Sequence, residues 1–404
     1  MNQYFRKTEN MHYLKERIKR HVTSLPKKFF IATTPGLESA CLAELNSLPL
    51  TALNPVTCFG GIEFKGYIQD SYMANLSLST ANKILMRILE IKVANFRQLE
   101  KKLSDFPWEL FIDIQSAPTI NVTSKHSRLY HKKAISERIY KSILDRYDKI
   151  YGKYAHIDLN HGKQNLFVML VNNRVTISLD SSGELLYKRG IKKHGGPATI
   201  RETIAAAALI LAGYDYNEPL IDPMCGSGTF SIEAAMKINN IPSGWFRNFA
   251  FMQWPCFNEN KWANISQTAQ KGIIYPKNNF KVFASDKDPY TCDAMAKCIN
   301  SCLLSHTIQV CCKNFFDFAP SEITTCPGLV VINPPYGLRI GTKKESIELF
   351  LEICKKLKKD YKNWKVALIA PHLKLLKKIP LVEPKSYIFM NGGLKLNLLT
   401  GKIA

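Results

Sequence analysis

Apolar positions in the first part of the chain come in short runs whose spacing changes from segment to segment. The run FFIATT (29–34) has the length and β-branched content of a buried strand, and Pro35 and Gly36 end it. In LESACLAELNSL (37–48), Leu37, Cys41, Leu45 and Leu48 recur at helical spacing and predict an amphipathic helix. TCFGGIEFKG (57–66) alternates around a Gly-Gly pair, the pattern of a hairpin. YMANLSLSTANKILMRIL (72–89) reads as a second helix. Strand, helix, hairpin and helix together predict a small α+β domain. Residues 116–147 then read as a strand, a basic loop and a helix, and 165–180 as a hairpin turned by Asn172 and Asn173. Ahead of all this, residues 1–28 carry eight Lys or Arg against two acids, with a weak helical stripe at Leu14, Ile18 and Val22. That segment is a basic extension, either an arm for nucleic acid or a solvated terminus.

SSGELLYKRGIKKHGGP (181–197) is basic and rich in glycine, and reads as a linker with a domain boundary near residue 185. Beyond it the pattern changes. Short apolar strands alternate with amphipathic helices, which predicts a parallel sheet with crossover connections. No internal repeat or low-complexity tract interrupts the chain.

Composition narrows the function classes. The chain has 404 residues and a formal net charge of +22, of which residues 1–185 hold +9 and the remainder +13. The positive field is therefore spread over the molecule and suits a polyanion such as nucleic acid. No apolar run reaches the ~18 residues of a membrane span. The longest, from Ile204 to Gly213, is followed by Tyr214, Asp215 and Tyr216. The N-terminus lacks the apolar core of a signal peptide. Eleven cysteines include no CxxC pair and no four-ligand zinc spacing. Most of them read as small buried residues of a reducing, cytoplasmic environment, and no metal is expected.

Four motifs carry the candidate chemistry. In PLIDPMCGSGTFSIEAAMKI (219–238) a short strand ends in Asp222, a tight turn carries Gly226 and Gly228, and a helix starts at Thr229. Ligands of open α/β sheets sit at such strand ends, and the glycines let backbone approach them. The spacing fits neither a phosphate-binding Walker loop nor the dinucleotide fingerprint. A second strand ends in Asp286, placed to accept both ribose hydroxyls of a nucleoside cofactor. A third is followed by Asn314 and Asp317, either of which could bond an adenine amine. GLVVINPPYGLRIG (328–341) is a buried strand ending in Asn333, Pro334, Pro335 and Tyr336. Two prolines force a turn. The Asn oxygen and the Pro334 carbonyl become acceptors for an exocyclic amine, and Tyr336 offers a face for a planar base. The competing reading for Tyr336 is simple packing. In the first half, six Lys or Arg and one Glu lie between Lys125 and Lys141, with His126, Tyr130 and His131 among them. Basic and aromatic residues together suit RNA phosphates and bases, and a solvated helix face is the alternative.

Asp-Pro-x-Cys-Gly-Ser-Gly-Thr, the acid ending strand two and Asn-Pro-Pro-Tyr resemble the class I S-adenosylmethionine-dependent amino methyltransferases. Residues 187–209, 241–262, 32–45 and 391–399 resemble one branch of them, the THUMP-domain RNA guanine-N2 methyltransferases, and most of all its bacterial 23S ribosomal RNA members. Asn-Pro-Pro-Tyr alone is shared with adenine-N6 and glutamine methyltransferases. The resemblance covers the chain from about residue 28 onward. It implies a Rossmann-like α/β methyltransferase domain with a mixed, mostly parallel sheet, preceded by an α+β ferredoxin-like and THUMP region that binds RNA. The implied boundaries are 1–27 extension, 28–69 ferredoxin-like, 70–182 THUMP, 183–200 linker and 201–404 methyltransferase. S-adenosyl-L-methionine is the implied cofactor, contacted by Asp222, Pro223, Cys225, Gly226, Ser227, Gly228, Thr229, Asp286 and Asn314 or Asp317. Asn333, Pro334, Pro335 and Tyr336 are the implied catalytic set. Lys125, Arg128, Tyr130, Lys132, Lys133, Arg189, Lys192 and Lys193 are the candidate RNA contacts. The implied partner is ribosomal RNA or an assembly intermediate containing it, ahead of transfer RNA. Where the resembled enzymes carry Asp after the third strand, this chain has Asn314. Some of them are fused to a second methyltransferase domain, whose activity is not carried over.

Overall fold

The computed structural model describes residues 12–51, 53–113, 118–151, 164–191, 200–275, 281–335, 343–370 and 379–404. Among them two seven-stranded sheets organise the chain. The first uses β1 (Lys27–Ala32), β2 (Leu53–Cys58), β3 (Gly61–Gly66), β4 (Lys83–Lys92), β5 (Thr119–Lys125), β6 (Asn165–Val171) and β7 (Arg174–Asp180). Their order is β2-β3-β1-β4-β7-β6-β5, antiparallel except for β5 beside β6. The second uses β8 (Leu220–Asp222), β9 (Val282–Asp286), β10 (Ile308–Cys312), β11 (Leu329–Ile332), β12 (Lys365–Ala370), β13 (Leu381–Asn391) and β14 (Leu394–Ile403). In the order β10-β9-β8-β11-β12-β14-β13 the first five run parallel, and β14 and β13 are added antiparallel. The strand order reverses at β8, which makes the crevice above β8 and β11 the natural ligand site.

The expected strand, first helix and hairpins are present, with left-handed φ at both Asn172 (50°) and Asn173 (62°) in the β6–β7 turn. The second helix is a correction. The helix α2 (Ile68–Ser77) stops early, and after a short connection the last part of the segment expected as helix, from Lys83 on, is β4, at the centre of the first sheet. Ile84, Leu85 and Met86 are consecutive and all buried, so both faces of the strand are covered. A continuous apolar run of this kind has no period to separate strand from helix. The switch is made by the Glu44 carboxylate of helix α1 (Glu38–Ser47). It accepts the backbone N–H groups of Ser79 and Thr80 at 2.9 and 3.0 Å, and so takes both donors away from a helical ladder.

The N-terminal stripe also resolves. Residues 12–18 are helical and continue into a π-helical turn, Lys19–Thr23. Ile18 and Val22 are buried in the first core, and Arg17 pairs with Glu109 at 2.8 Å. The described part of the extension is docked rather than free.

The segment expected as a linker is packed in its described part. Ser181 and Ser182 are fully buried and bonded to Asn75 at 2.8 and 2.6 Å, while Leu186 and Ile191 enter the cores. The Arg247 guanidinium donates to the carbonyls of Leu185, Lys188 and Glu184 at 2.8–2.9 Å. Arg189, expected at an RNA surface, is instead 4% exposed and bonds Glu233 through two hydrogen bonds of 2.9 and 3.0 Å. Its guanidinium also donates to the Ser79 carbonyl. It belongs to the interior because Glu233 is buried too and needs a counter-charge. The aromatic segment after β8 crosses to the first sheet: Phe249, Phe251 and Trp254 join its core, and the Phe251 ring stacks on Tyr72 at 4.3 Å. No helix among the described residues is long and apolar enough to cross a membrane.

Arg189→Ala takes a buried counter-charge from Glu233, a loss of about 3–5 kcal/mol. Chemical denaturation followed by tryptophan fluorescence should show a clearly lower midpoint, and Glu233→Ala added to Arg189→Ala should restore part of it. A midpoint equal to that of the unaltered protein would remove this pair from the stability of the joint.

Candidate active site

At the C-terminal ends of β8–β11 lies a cavity of about 630 Å³. Its floor is the turn after β8. Gly226 and Gly228 have φ of 51° and 71°, and the two are glycine for different reasons. A Cβ on Gly226 would stand in open space, within the cavity that Gly226 lines. A Cβ on Gly228 would meet the Met295 side chain at 2.5 Å. The turn is latched to β9: Cys225 N–H donates to the Ser285 carbonyl and Gly226 N–H to Asp286 Oδ2, both at 3.0 Å. Asp286 Oδ1 accepts from Asp288 N–H at 3.0 Å. Two backbone donors thus fix the carboxylate, and each oxygen keeps a further lone pair.

Pro223, Cys225, Ser227 and Thr229 line the cavity with Gly226 and Asp286. Asp222 and Gly228 do not. Asp222 is 1% exposed and accepts a 2.7 Å bond from Ser231 Oγ, holding the first turn of the helix Thr229–Ile238 from beneath. Burial pushes the Cys225 thiol far up, and Asp222 and Asp286 add to the shift, so it is neutral at physiological pH and no thiolate nucleophile.

Of the two residues proposed after the third strand, Asn314 lines the cavity and Asp317 is exposed away from its lining. Asn314 Oδ1 caps the short turn Phe315–Asp317 by accepting from Phe316 N–H at 3.3 Å. Asn333, Pro334 and Pro335 form the facing wall, and Ser346 Oγ donates to the Pro335 carbonyl at 3.3 Å. Tyr336 lies outside the described residues, as do Lys192 and Lys193. Sequence reasoning missed Phe316, Lys287, Leu349, Glu352, Asn391 and Leu394, which also line the cavity. The last two flank the Gly392–Gly393 turn between β13 and β14, a hairpin signal that could have drawn attention to them.

A second face gathers most of the remaining candidates. Lys125, Arg128, Tyr130, Lys132 and Lys133 are all exposed, from the end of β5 to the start of the helix Lys132–Tyr151. Buried Leu129 anchors their loop, and Arg128 N–H bonds Asn173 Oδ1 at 2.8 Å. The Tyr130 and His131 rings lie 4.2 Å apart. Among the described residues no group of three His, Cys, Asp or Glu could hold a metal ion.

Comparison with known proteins agrees with this arrangement. Residues 28–85 match the RlmL ferredoxin-like domain, 93–180 the THUMP domain, and 189–399 the RMKL-like methyltransferase domain. A Synechocystis sp. protein provisionally named an RNA methyltransferase is 30% identical over 92% of this chain and 96% of its own length. The "Ribosomal RNA large subunit methyltransferase K/L" of Psychromonas ingrahamii is 28% identical over 93% of this chain, which spans 50% of that protein. The chain thus covers about half the length of the relatives that carry this name. The crystal structure of a provisionally named methylase from Clostridium difficile 630 superposes with a TM-score of 0.84 at 26% identity, over 94% of this chain and 98% of that one. With its catalytic half matched from end to end, the chain belongs to the RMKL-like methyltransferase family and carries that family's ferredoxin-like and THUMP domains.

Proposed function

We propose that this protein methylates the exocyclic N2 amine of a guanosine in RNA, with S-adenosylmethionine as methyl donor, and that the RNA is 23S ribosomal RNA. One observation carries the reading: a single cavity holds the Gly226–Asp286 pair on one wall and Asn333, Pro334 and Pro335 on the other, in a chain with a THUMP domain. The relatives named for large-subunit ribosomal RNA support the substrate.

The cavity residues fit the donor. Its volume lies within the ~300–1,000 Å³ of small-molecule sites. Gly226 leaves space where a side chain would intrude. The oriented Asp286 carboxylate accepts the ribose hydroxyls, and Asn314 and Phe316 border the adenine. When bound, S-adenosylmethionine supplies an electrophilic methyl group on a sulfonium.

The facing wall handles the acceptor. The guanine amine has two N–H donors and a lone pair delocalised into the ring. Asn333 Oδ1 and the Pro334 carbonyl accept those donors, orient the nitrogen and favour its pyramidal form. After transfer the nitrogen sheds a proton readily, so no strong base is needed. Catalysis is positioning plus fixed dipoles. The neutral Cys225 thiol does not compete for the methyl group. The target base leaves its stack or lies in a single-stranded segment to enter.

Asp286→Ala should weaken S-adenosylmethionine binding by titration calorimetry, and an unchanged affinity would contradict the ribose contact. Asn333→Ala should lower the transfer rate by about 10²-fold or more while donor affinity holds. Near-normal turnover would take Asn333 out of the chemistry. Lys132→Ala and Lys133→Ala should weaken RNA binding and flatten its salt dependence by about 0.7 per lysine on a log–log plot, the single-strand value. An unaltered slope would clear that face of phosphate contacts. The decisive assay incubates the protein and labelled donor with total RNA from a strain lacking the gene, then analyses size-fractionated nucleosides by mass spectrometry. Label as N2-methylguanosine in large ribosomal RNA is expected. Label in small RNA would move the substrate to transfer RNA, and none in any RNA would overturn the reading.

A further inference from the structure

The tip of the β2–β3 hairpin holds a phenylalanine in water. Phe59 is 90% exposed, although the turn that carries it is tied down. Thr33 N–H donates to the Gly60 carbonyl at 2.9 Å. The Glu38 carboxylate accepts from Gly60 N–H at 2.9 Å and from Gly36 N–H at 2.8 Å, joining two turns through one side chain. Gly36 in turn abuts the second sheet: a Cβ there would lie 1.9 Å from the Ile388 carbonyl on β13. The hairpin tip is thereby set against the outer edge of the catalytic sheet.

β13 points from that seam to the cavity. It is antiparallel to β14 and β14 to β12, so its C-terminal end lies with the C-terminal ends of the parallel strands. Three residues past Ile388 is Asn391, which lines the cavity. Ile388 and Met390, two apart on the face away from buried Phe389, are both exposed. Lys395 is the register partner of Met390 on the same face and is exposed as well. Three strand spacings of about 4.8 Å, or about 14 Å, separate β13 from β11. An exposed aromatic ring on the hairpin seated at the sheet edge, and apolar side chains beside a cation on its last two strands, match a stretch of nucleotides, with planar bases and phosphates, better than an apolar protein face.

We propose that Phe59, Met390 and Lys395 form a docking strip for unpaired nucleotides flanking the target base, with a base stacked on Phe59. The proposal rests on the reading that the substrate is RNA. Phe59 is a positioning residue in it, carried by the ferredoxin-like domain and outside the lining of the cavity.

The test uses the full chain with protein-free 23S ribosomal RNA as probe. Phe59 contributes no buried area, so Phe59→Ala should melt like the unaltered protein. Stacking is worth about 1–3 kcal/mol per base, so Phe59→Ala should raise the RNA Kd by roughly tenfold. The methylation rate at saturating RNA and the affinity for S-adenosylhomocysteine should not move, and Phe59→Trp should restore binding. Leu303→Ala, an exposed apolar position at the opposite end of the parallel strands, should bind RNA normally. An unaltered Kd for Phe59→Ala, in a protein that still methylates RNA, overturns the strip alone. A loss seen only with ribosomal particles overturns it in favour of a protein contact. A parent protein that neither binds nor methylates RNA overturns the substrate reading and the strip with it.

Discussion

A buried chain of polar contacts sets the relation between the two sheets. Glu44 on helix α1 accepts the backbone of Ser79 and Thr80, Arg189 donates to the Ser79 carbonyl, and Arg189 pairs with Glu233. Glu233 sits on the helix that begins at the Gly226–Gly228 turn. Side chains from both halves of the molecule are therefore partners in one network. Each charge in it is buried, so its partners must replace the solvation it has lost. The network adds little net stability over an apolar equivalent, but losing one member strands the rest. Its consequence is geometric. The turn that floors the cavity is coupled through one ion pair to the segment leading into β4, the central strand of the first sheet.

Apolar packing enforces the same relation. Phe249, Phe251 and Trp254, which follow β8 in the chain, complete the core beneath the first sheet. In return Leu37 and Ala40 from the first half enter the core of the second. Rotating one sheet against the other would expose aromatic area on one side and open a void on the other. Both are costly, because packed interiors tolerate neither. The exposed basic face at Lys125–Lys133 and the cavity are consequently held at a fixed separation. In the proposed function, an RNA held at the first would present to the second only what lies at that distance, a form of selection that needs no base reading at the basic face.

The catalytic half was legible in the sequence because its chemistry is local. Asp286, Gly226 and Asn333 each follow a short apolar strand, and a parallel sheet brings the ends of adjacent strands together. The same logic misplaced Asp222, whose strand-end position is real but whose carboxylate turns down to Ser231. What stayed hidden depends on long-range partners. The segment that runs into β4 reads as helix until Glu44, 35 positions before Ser79, takes the backbone donors of Ser79 and Thr80 just ahead of the strand. Arg189 reads as one more cation of a basic linker, and nothing within its own segment announces Glu233. Asn391 and Leu394 reach the cavity only because β13 and β14 are added to the sheet after the parallel strands.

In the proposed function, the sparse charge of the acceptor wall follows from the reaction. Methyl transfer to an amine creates no net charge: the positive charge leaves the donor sulfur as it develops on nitrogen. A strong anion at the amine would gain little in the transition state that it did not already have in the bound donor complex, and uniform stabilisation does not speed the chemical step. A neutral Asn oxygen and a proline carbonyl instead fix the direction of two N–H bonds, and hence of the lone pair. Prolines on both sides of that carbonyl's peptide bond restrict its rotation, so little entropy remains to be lost when the base arrives. In the proposed function the Asp286 carboxylate stands on the other wall, where it would bind hydroxyls that take no part in bond making. In the proposed function, affinity for the polyanion comes from the positive charge spread over the chain rather than from the acceptor wall. Binding and chemistry are then assigned to different surfaces, and the buried joint between the sheets makes them act on one RNA.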